Sequence, residues 1–136
     1  MKRLVLLALV LLLAAGCSGK EQSTAGDGVE KTYTQISQEE AREMMAGDDG
    51  CILVDVRRQG EYDSGHIPGA ICIPNESIAD SQPEELPDLD QVILIYCRSG
   101  NRSKQAAEKL CRIGYTNLYE FGGILDWTGE IVTEET

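Results

Sequence analysis

Short apolar runs alternate with amphipathic segments along the chain from residue 32 onward. Five runs are too short for buried helices and predict strands, at 32–36, 51–56, 70–73, 91–96 and 117–119. Segments with helical spacing or helix-capping residues stand between them and predict helices, at 37–46, 59–63, 75–79, 103–113 and 124–127. Because strands and helices alternate, the pattern predicts an α/β fold with a mainly parallel sheet.

The turn after the fourth predicted strand is unusually polar and begins with a cysteine. Its sequence is Cys97-Arg98-Ser99-Gly100-Asn101-Arg102-Ser103. Cys97 stands at the end of a strand and just before a helix, so loop N–H groups and the helix dipole can point at its sulfur. Such an environment favours the thiolate, which is the reactive form. Parallel sheets bind ligands at the carboxyl ends of their strands, and Arg98 and Arg102 add positive charge for an anion.

The other cysteines of the predicted domain give no comparable signal. Cys51, Cys72 and Cys111 lie in apolar surroundings and are expected to be small core residues. The chain has no CxxC motif and no dense cysteine framework. It has one histidine and no Cys/His cluster with zinc spacing, so we expect neither a metal nor a cofactor.

The N-terminus predicts export. Basic residues at 2–3 precede the aliphatic run 4–13 and the small residues 14–16, an order typical of a signal peptide over 1–16. The ending Leu13-Ala14-Ala15-Gly16-Cys17 resembles a bacterial lipobox, which implies cleavage before Cys17 and lipid on that residue. Residues 17–30 are then the lipidated cysteine and a flexible tether, and 31–136 the domain. A plain signal peptide or an uncleaved anchor are the alternatives.

The net negative charge of the chain limits the classes of partner that it can bind. The chain has 12 basic and 23 acidic residues, and loss of Lys2 and Arg3 with the signal leaves 10 against 23, a net charge of −13. This argues against binding to nucleic acid or adhesion to anionic lipid by charge. We expect a monomer that is held at a cell membrane by lipid on Cys17, on the periplasmic or cell-surface side.

Several motifs resemble the rhodanese domain family, in order, over residues 32–130. They are Val54-Asp55-Val56-Arg57 with Glu61-Tyr62, then Gly65-His66-Ile67-Pro68-Gly69-Ala70, then the run from Cys97 to Arg102, and finally Gly114-Tyr115, Leu118, Gly122-Gly123 and Trp127. The resemblance implies a three-layer α/β domain with a central, mainly parallel, five-stranded sheet flanked by helices. It also implies a cysteine that forms a persulfide, and it places His66 in a structural turn.

The resemblance assigns roles within the loop. Cys97 would attack the outer sulfur of thiosulfate or a similar donor, hold a persulfide, and pass the sulfur to cyanide or a thiol. The loop would stabilise the anionic sulfur and bind the donor through Arg98, Ser99, Gly100, Asn101, Arg102 and Ser103. Asp55 and Arg57 are possible supporting residues: Asp55 would pair with Arg57 or Arg102, and Arg57 would be either structural or substrate-facing.

Other functions stay open from the sequence. A non-enzymatic persulfide carrier or interaction module is the main alternative. An arsenate reductase or phosphatase is less favoured, because Cys97 and Arg102 are separated by four residues, one fewer than in the related phosphatase loop. Thiol–disulfide exchange would require Cys72 or Cys111 as a resolving thiol near Cys97.

Overall fold

The computed structural model describes residues 33–47 and 50–133. These residues form five strands: β1 (Thr34–Gln35), β2 (Ile52–Asp55), β3 (Ile71–Cys72), β4 (Ile93–Cys97) and β5 (Leu118–Gly123). They also form three α-helices, α1 (Gln38–Ala46), α2 (Gln59–Ser64) and α3 (Asn101–Ile113), and short 3₁₀ turns at Asn75–Ser77 and Ile124–Asp126. The predicted signal peptide, Cys17 and the tether lie outside the described residues, so these assignments and the domain boundaries stay predictions.

The five strands form one sheet in the order β1-β5-β4-β2-β3, and all paired strands are parallel. This confirms the predicted α/β architecture. The central strand β4 is buried at every position, as expected for a parallel strand that is covered on both faces. Helices α1, α2 and α3 connect β1 to β2, β2 to β3 and β4 to β5, since parallel strands need a crossover connection.

Successive side chains of the strands point to opposite faces of the sheet, and each face has its own apolar core. Ile93, Ile95 and Cys97 of β4 pack on one face with residues of α3 that include Ala107 and Leu110. Leu94 and Tyr96 pack on the other face with a second set that includes Leu53, Ala41 and Phe121. Cys97 therefore lies on the α3 face of the sheet.

Helix α1 begins as the sequence predicts. The Ser37 hydroxyl accepts a hydrogen bond from the Glu40 backbone N–H at 3.0 Å, and the Ser37 N–H donates to Glu40 Oε2 at 3.1 Å. These reciprocal bonds satisfy two backbone donors that the start of a helix would otherwise leave unpaired. The capping box thus fixes the entry of the chain into the first helix.

Several elements differ from their predicted bounds or type. Helix α3 begins at Asn101 rather than Ser103, because Gly100 adopts the left-handed conformation at φ 112° and turns the chain directly into the helix. Strand β5 extends to Gly123 rather than residue 119, since it stays paired with β4 as far as the Cys97–Gly123 position. The helices predicted over 75–79 and 124–127 are single 3₁₀ turns. In the part of the chain that the structure describes, no helix has the length and apolar character needed to cross a membrane.

Candidate active site

Cys97 is the last residue of β4, and its sulfur lies within the turn that follows. The residue is 1% exposed. The Gly100 backbone N–H donates to Cys97 Sγ at 3.0 Å, and the Ser103 hydroxyl lies 3.5 Å from the same sulfur. The left-handed conformation of Gly100 directs its N–H back toward the strand end. The loop geometry therefore gives the Cys97 sulfur a backbone N–H donor, as the sequence predicts.

The remaining loop residues divide between solvent and helix. Arg98, Ser99 and Asn101 are exposed. The carbonyl of Arg98 accepts a hydrogen bond from the Leu125 N–H at 3.2 Å, which ties the loop to the end of β5. Within residues 33–47 and 50–133, no hydrogen bond or ion pair is formed by the guanidinium of Arg98. That cation is therefore available to an anion from solvent.

Arg102 lies in the first turn of α3 and forms a bidentate ion pair with Glu61 of α2. The Nη1–Oε2 distance is 2.8 Å and the Nη2–Oε1 distance is 3.1 Å. The hydrogen bond from Arg102 holds the pKa of Glu61 at about 2, well below its ordinary value of 4.5. The pKa of Arg102 is raised, first by the hydrogen bond to Glu61 and to a smaller extent by the charge of Cys97. Arg102 is thus held beside the site by a carboxylate.

Asp55 pairs with Arg57 and not with Arg102. Arg57 Nε donates to Asp55 Oδ1 at 2.9 Å, Arg57 Nη2 donates to Oδ2 at 2.7 Å, and both residues are buried. Arg57 Nη2 also donates to the Gly65 carbonyl at 2.7 Å, which joins the end of β2 to the turn at Gly65. Asp55 is in register with Tyr96, so it faces away from the side of the sheet that carries Cys97. The structure does not bring this pair to the Cys97 sulfur.

Glu120 lies close to Cys97, and the sequence did not predict it as a site residue. The Ser103 hydroxyl donates to Glu120 Oε2 at 2.5 Å, and Glu120 is 1% exposed. The Gly122 N–H also donates to Oε2, at 3.0 Å, and Gln35 Nε2 donates to Oε1 at 3.1 Å. An acid inside the apolar run Leu118–Phe121 is the signal that could have identified it. The signal was missed because the strand was predicted to end at 119.

The other described cysteines do not approach Cys97. Cys72 is in register with Asp55 and lies on the opposite face of the sheet, and burial raises its pKa to about 11. Cys111 is on α3, eight residues beyond Ser103, which places it about 12 Å further along the helix. Cys51 packs against the opposite core. None of the three is placed to resolve a disulfide with Cys97.

His66 is engaged in local structure. Its ring stacks on Tyr62 with centroids 3.7 Å apart, and its Nδ1 lies 2.8 Å from the Tyr62 carbonyl oxygen. Its backbone pairs with Val132. Among the described residues, no group of three or more His, Cys, Asp and Glu side chains is arranged to hold a metal ion.

Comparison with known proteins identifies relatives. The model of the rhodanese-like domain family matches residues 37–130. The thiosulfate sulfurtransferase PspE of Escherichia coli (strain K12) is 36% identical over 73 residues, which are 54% of this chain and 70% of that protein. The thiosulfate sulfurtransferase GlpE of Pseudomonas entomophila (strain L48) is 37% identical over 91 residues, 67% of this chain and 80% of that protein. The putative sulfur carrier protein YrkF of Bacillus subtilis (strain 168) is 33% identical over 97 residues, 71% of this chain and 51% of that protein.

A solved structure agrees with these relatives. A rhodanese with anions from E. coli superposes with a TM-score of 0.56 at 32% identity, covering 61% of this chain and 98% of that one. The family match, the five-stranded parallel sheet and the sulfurtransferase relatives are mutually consistent. The chain belongs to the rhodanese-like domain family.

Proposed function

We propose that this protein is a sulfurtransferase that moves a sulfane sulfur from thiosulfate, or a similar donor, to a thiophilic acceptor through a persulfide on Cys97. The observation that carries the proposal is the Cys97 sulfur itself, buried at a strand end and bound by the Gly100 N–H at 3.0 Å. The sulfurtransferase relatives support it at the level of the family.

The proposed reaction has two displacement steps. The Cys97 thiolate attacks the outer sulfur of thiosulfate, the S–S bond of the donor breaks, and sulfite leaves with its electron pair. An acceptor such as cyanide or a thiolate then attacks the outer sulfur of the persulfide, and Cys97 leaves as a thiolate. The Gly100 N–H donates to the sulfur of Cys97, which favours its thiolate as nucleophile in the first step and as leaving group in the second.

Arg98 and Arg102 have different proposed parts in binding the donor. The exposed guanidinium of Arg98 attracts the anion to a protein whose overall charge is strongly negative. Arg102 adds positive potential from the first turn of α3 while Glu61 fixes its position. This division of roles makes Arg98 the first contact for the incoming donor and Arg102 a fixed charge beside the sulfur.

A dedicated sulfur carrier is the second candidate. The likeness to a putative sulfur carrier protein favours it, as does the nearly complete burial of Cys97, which would protect a stored persulfide. A carrier would accept one sulfur from its donor but would not turn over with a small acceptor. A phosphatase or arsenate reductase is less well supported, since the loop has four residues between Cys97 and Arg102. Thiol–disulfide exchange lacks a second cysteine near Cys97 in the described part of the chain.

The location of the protein is also a proposal. The run from Leu4 to Gly16 followed by Cys17 supports export and lipid attachment at Cys17, and two or more acyl chains would give stable anchoring. Cells that produce the protein should incorporate labelled fatty acid into it, and Cys17→Ser should abolish the label. A wild-type chain that stays unlabelled would contradict lipidation.

The proposed function is tested by steady-state turnover of the purified full chain in detergent with thiosulfate and cyanide. We expect thiocyanate to form in many equivalents per protein, and Cys97→Ser to form none. Cys111→Ser is the matched control, because it removes a thiol elsewhere on the same face of the sheet and should keep the wild-type rate. A single equivalent of transferred sulfur would instead support the carrier, and no transfer from reduced, folded protein would contradict both.

A further inference from the structure

Glu120 is a buried carboxyl group that is bound by neutral donors and by no cation of the described residues. The ion pairs of the described residues are Arg57–Asp55, Arg58–Glu76 and Arg102–Glu61. Glu120 instead accepts hydrogen bonds from Gln35, Gly122 and Ser103. Burial of a charged group without a counter-ion is costly, even when hydrogen bonds satisfy it. Among the described residues, the Glu120 carboxyl group is therefore held by hydrogen bonds from neutral groups alone.

The Ser103 side chain connects this carboxyl group to the Cys97 sulfur. Cys97 Sγ lies 3.5 Å from Ser103 Oγ, with the thiol as donor, and Ser103 Oγ lies 2.5 Å from Glu120 Oε2. A hydroxyl has one proton to donate. The Ser103 Oγ also lies 3.0 Å from the Gly100 carbonyl oxygen and 3.4 Å from that of Gly122, but its shortest contact is with Glu120 Oε2. While it donates to Glu120, Ser103 can only accept from Cys97, which places the thiol proton between Sγ and Oγ. The three side chains form a continuous path for a proton.

We propose that Glu120 takes up the proton of the Cys97 thiol through Ser103, and that the two groups share one proton; the inference rests on the proposed role of Cys97 as nucleophile. The S–H bond breaks as a new O–H bond forms on Ser103, and the original Ser103 proton moves to Glu120 Oε2. The products are a thiolate, a neutral carboxyl group and a hydroxyl that now donates to the sulfur. The negative charge is conserved, and no other reactant is needed.

The surroundings favour a shared proton. A carboxylate and a thiolate joined through one hydroxyl repel each other, so one of them keeps a proton. The neighbouring strand β1 and helix α1 contribute the neutral side chains Gln35 and Gln38 on this side of β5. Glu120 is therefore the nearest proton acceptor connected to Cys97 by hydrogen bonds among the described residues.

Other titratable groups around this path do not replace Glu120. Tyr33 precedes β1, and its pKa is raised by burial and by the charges of Glu108 and Glu120, with Cys111 contributing least. Arg102 carries a positive charge near Cys97 but is paired with Glu61. Glu120 acts through Ser103 and does not touch the sulfur, so it is a positioning residue for the proton.

The test is the pH dependence of Cys97 alkylation by iodoacetamide, measured on the Cys97 peptide by mass spectrometry in the purified full chain. No thiosulfate is present, so the result does not depend on sulfur transfer. We expect the wild-type rate to rise in two steps with pH, because the Cys97–Glu120 pair loses its protons in two stages. We expect Glu120→Gln to lose the lower step and to react about tenfold more slowly at neutral pH.

Matched variants separate the proposal from simple loss of charge or of folding. Glu108→Gln removes a carboxylate from α3 and should keep the wild-type profile. Ser103→Ala should lose the lower step, and Ser103→Thr should restore it because the hydroxyl returns. If Glu120→Gln fails to fold by circular dichroism, the Ser103 pair decides the question.

The outcomes distinguish this inference from the proposed function. A Glu120→Gln or Ser103→Ala protein that reacts as fast as wild type, or faster, overturns the shared proton even if thiocyanate is formed. A wild-type protein with the two-step profile supports the shared proton even if no sulfur is transferred, and the sulfurtransferase proposal then fails by itself.

Discussion

Gly123, at the end of β5, lies against the backbone carbonyl of Arg98 in the loop that follows Cys97. A Cβ atom at position 123 would overlap the Arg98 carbonyl group. The end of β5 therefore packs directly against the loop that follows Cys97. Only a glycine at position 123 allows the two backbones to come this close.

Gly123→Ala should displace the loop and lower sulfur transfer. A shift of about 1 Å in the position of a catalytic group can reduce the rate about a hundredfold, so we expect a loss of this order in thiocyanate formation. Gly60→Ala is the control, since a Cβ there meets nothing within 4 Å. It should keep full activity and gain about 0.5–1 kcal/mol of stability from its position in α2. Equal activities of the two variants would contradict the close-packing argument.

Arg57→Met should destabilise the fold. The variant leaves the buried Asp55 carboxylate without its partner and releases the Gly65 carbonyl, and breaking a buried ion pair in this way costs about 3–5 kcal/mol. Urea unfolding of the full chain measures the change. Arg58→Met is the control, because its ion pair with Glu76 is exposed to solvent and should contribute little. If Arg57→Met lowered the free energy of unfolding no more than Arg58→Met does, Asp55 would tolerate the loss of its partner and the prediction would be wrong.

The Glu61–Arg102 pair should stabilise the protein in a pH-dependent way. The pKa of Glu61 is held at about 2, below its ordinary value of 4.5, so its stabilising effect is present above pH 4.5 and is lost as the pH falls toward 2. We expect Glu61→Gln to lower the free energy of unfolding at neutral pH by up to about 1 kcal/mol, since the pair is partly exposed. Near pH 2 the variant and wild type should converge. A difference that persists there, or one as large for the exposed Glu84→Gln, would contradict the ion pair.

Cys72 should react slowly with alkylating reagents in the native protein. Burial, together with the charge of Asp55, raises its pKa to about 11 from an ordinary value of 9.0, so thiolate at slightly alkaline pH is scarce. We expect its alkylation near pH 8 to be about a hundredfold slower in the native protein than in urea. Peptide mapping after timed labelling gives both rates. Equal rates in the two states would show that the thiol is neither buried nor near a negative charge.

The sequence predicted the sheet and the place of Cys97 well, because apolar runs of strand length and a polar turn are local signals. The run from Val92 to Ile95 before Cys97 contains only aliphatic residues, so its burial is unambiguous, and Gly100 marks the turn. For Asp55, the sequence predicted a partner that is either Arg57 or Arg102, without deciding between them. That choice depends on which guanidinium reaches the end of β2 after folding, and chain spacing does not determine this.

Glu120 shows what the sequence could not provide. Its burial is produced by Gln35 from β1 and Ser103 from α3, which are 85 and 17 residues away along the chain. A local pattern predicts that an acid at a strand end faces solvent. Only the extension of β5 to Gly123 beside β4 places Glu120 inside the sheet. There, two hydrogen bonds through Ser103 connect Glu120 to Cys97.

The most direct test of the account is the mass of the protein after incubation with thiosulfate. The reduced full chain is treated, freed of excess reagent and measured intact, and the extra mass is then located by peptide mapping. We predict a gain of one sulfur atom on the Cys97 peptide, removed by cyanide with release of thiocyanate and absent from Cys97→Ser. A folded, reduced wild-type protein that gains no sulfur, or gains it at another cysteine, would contradict persulfide chemistry at Cys97.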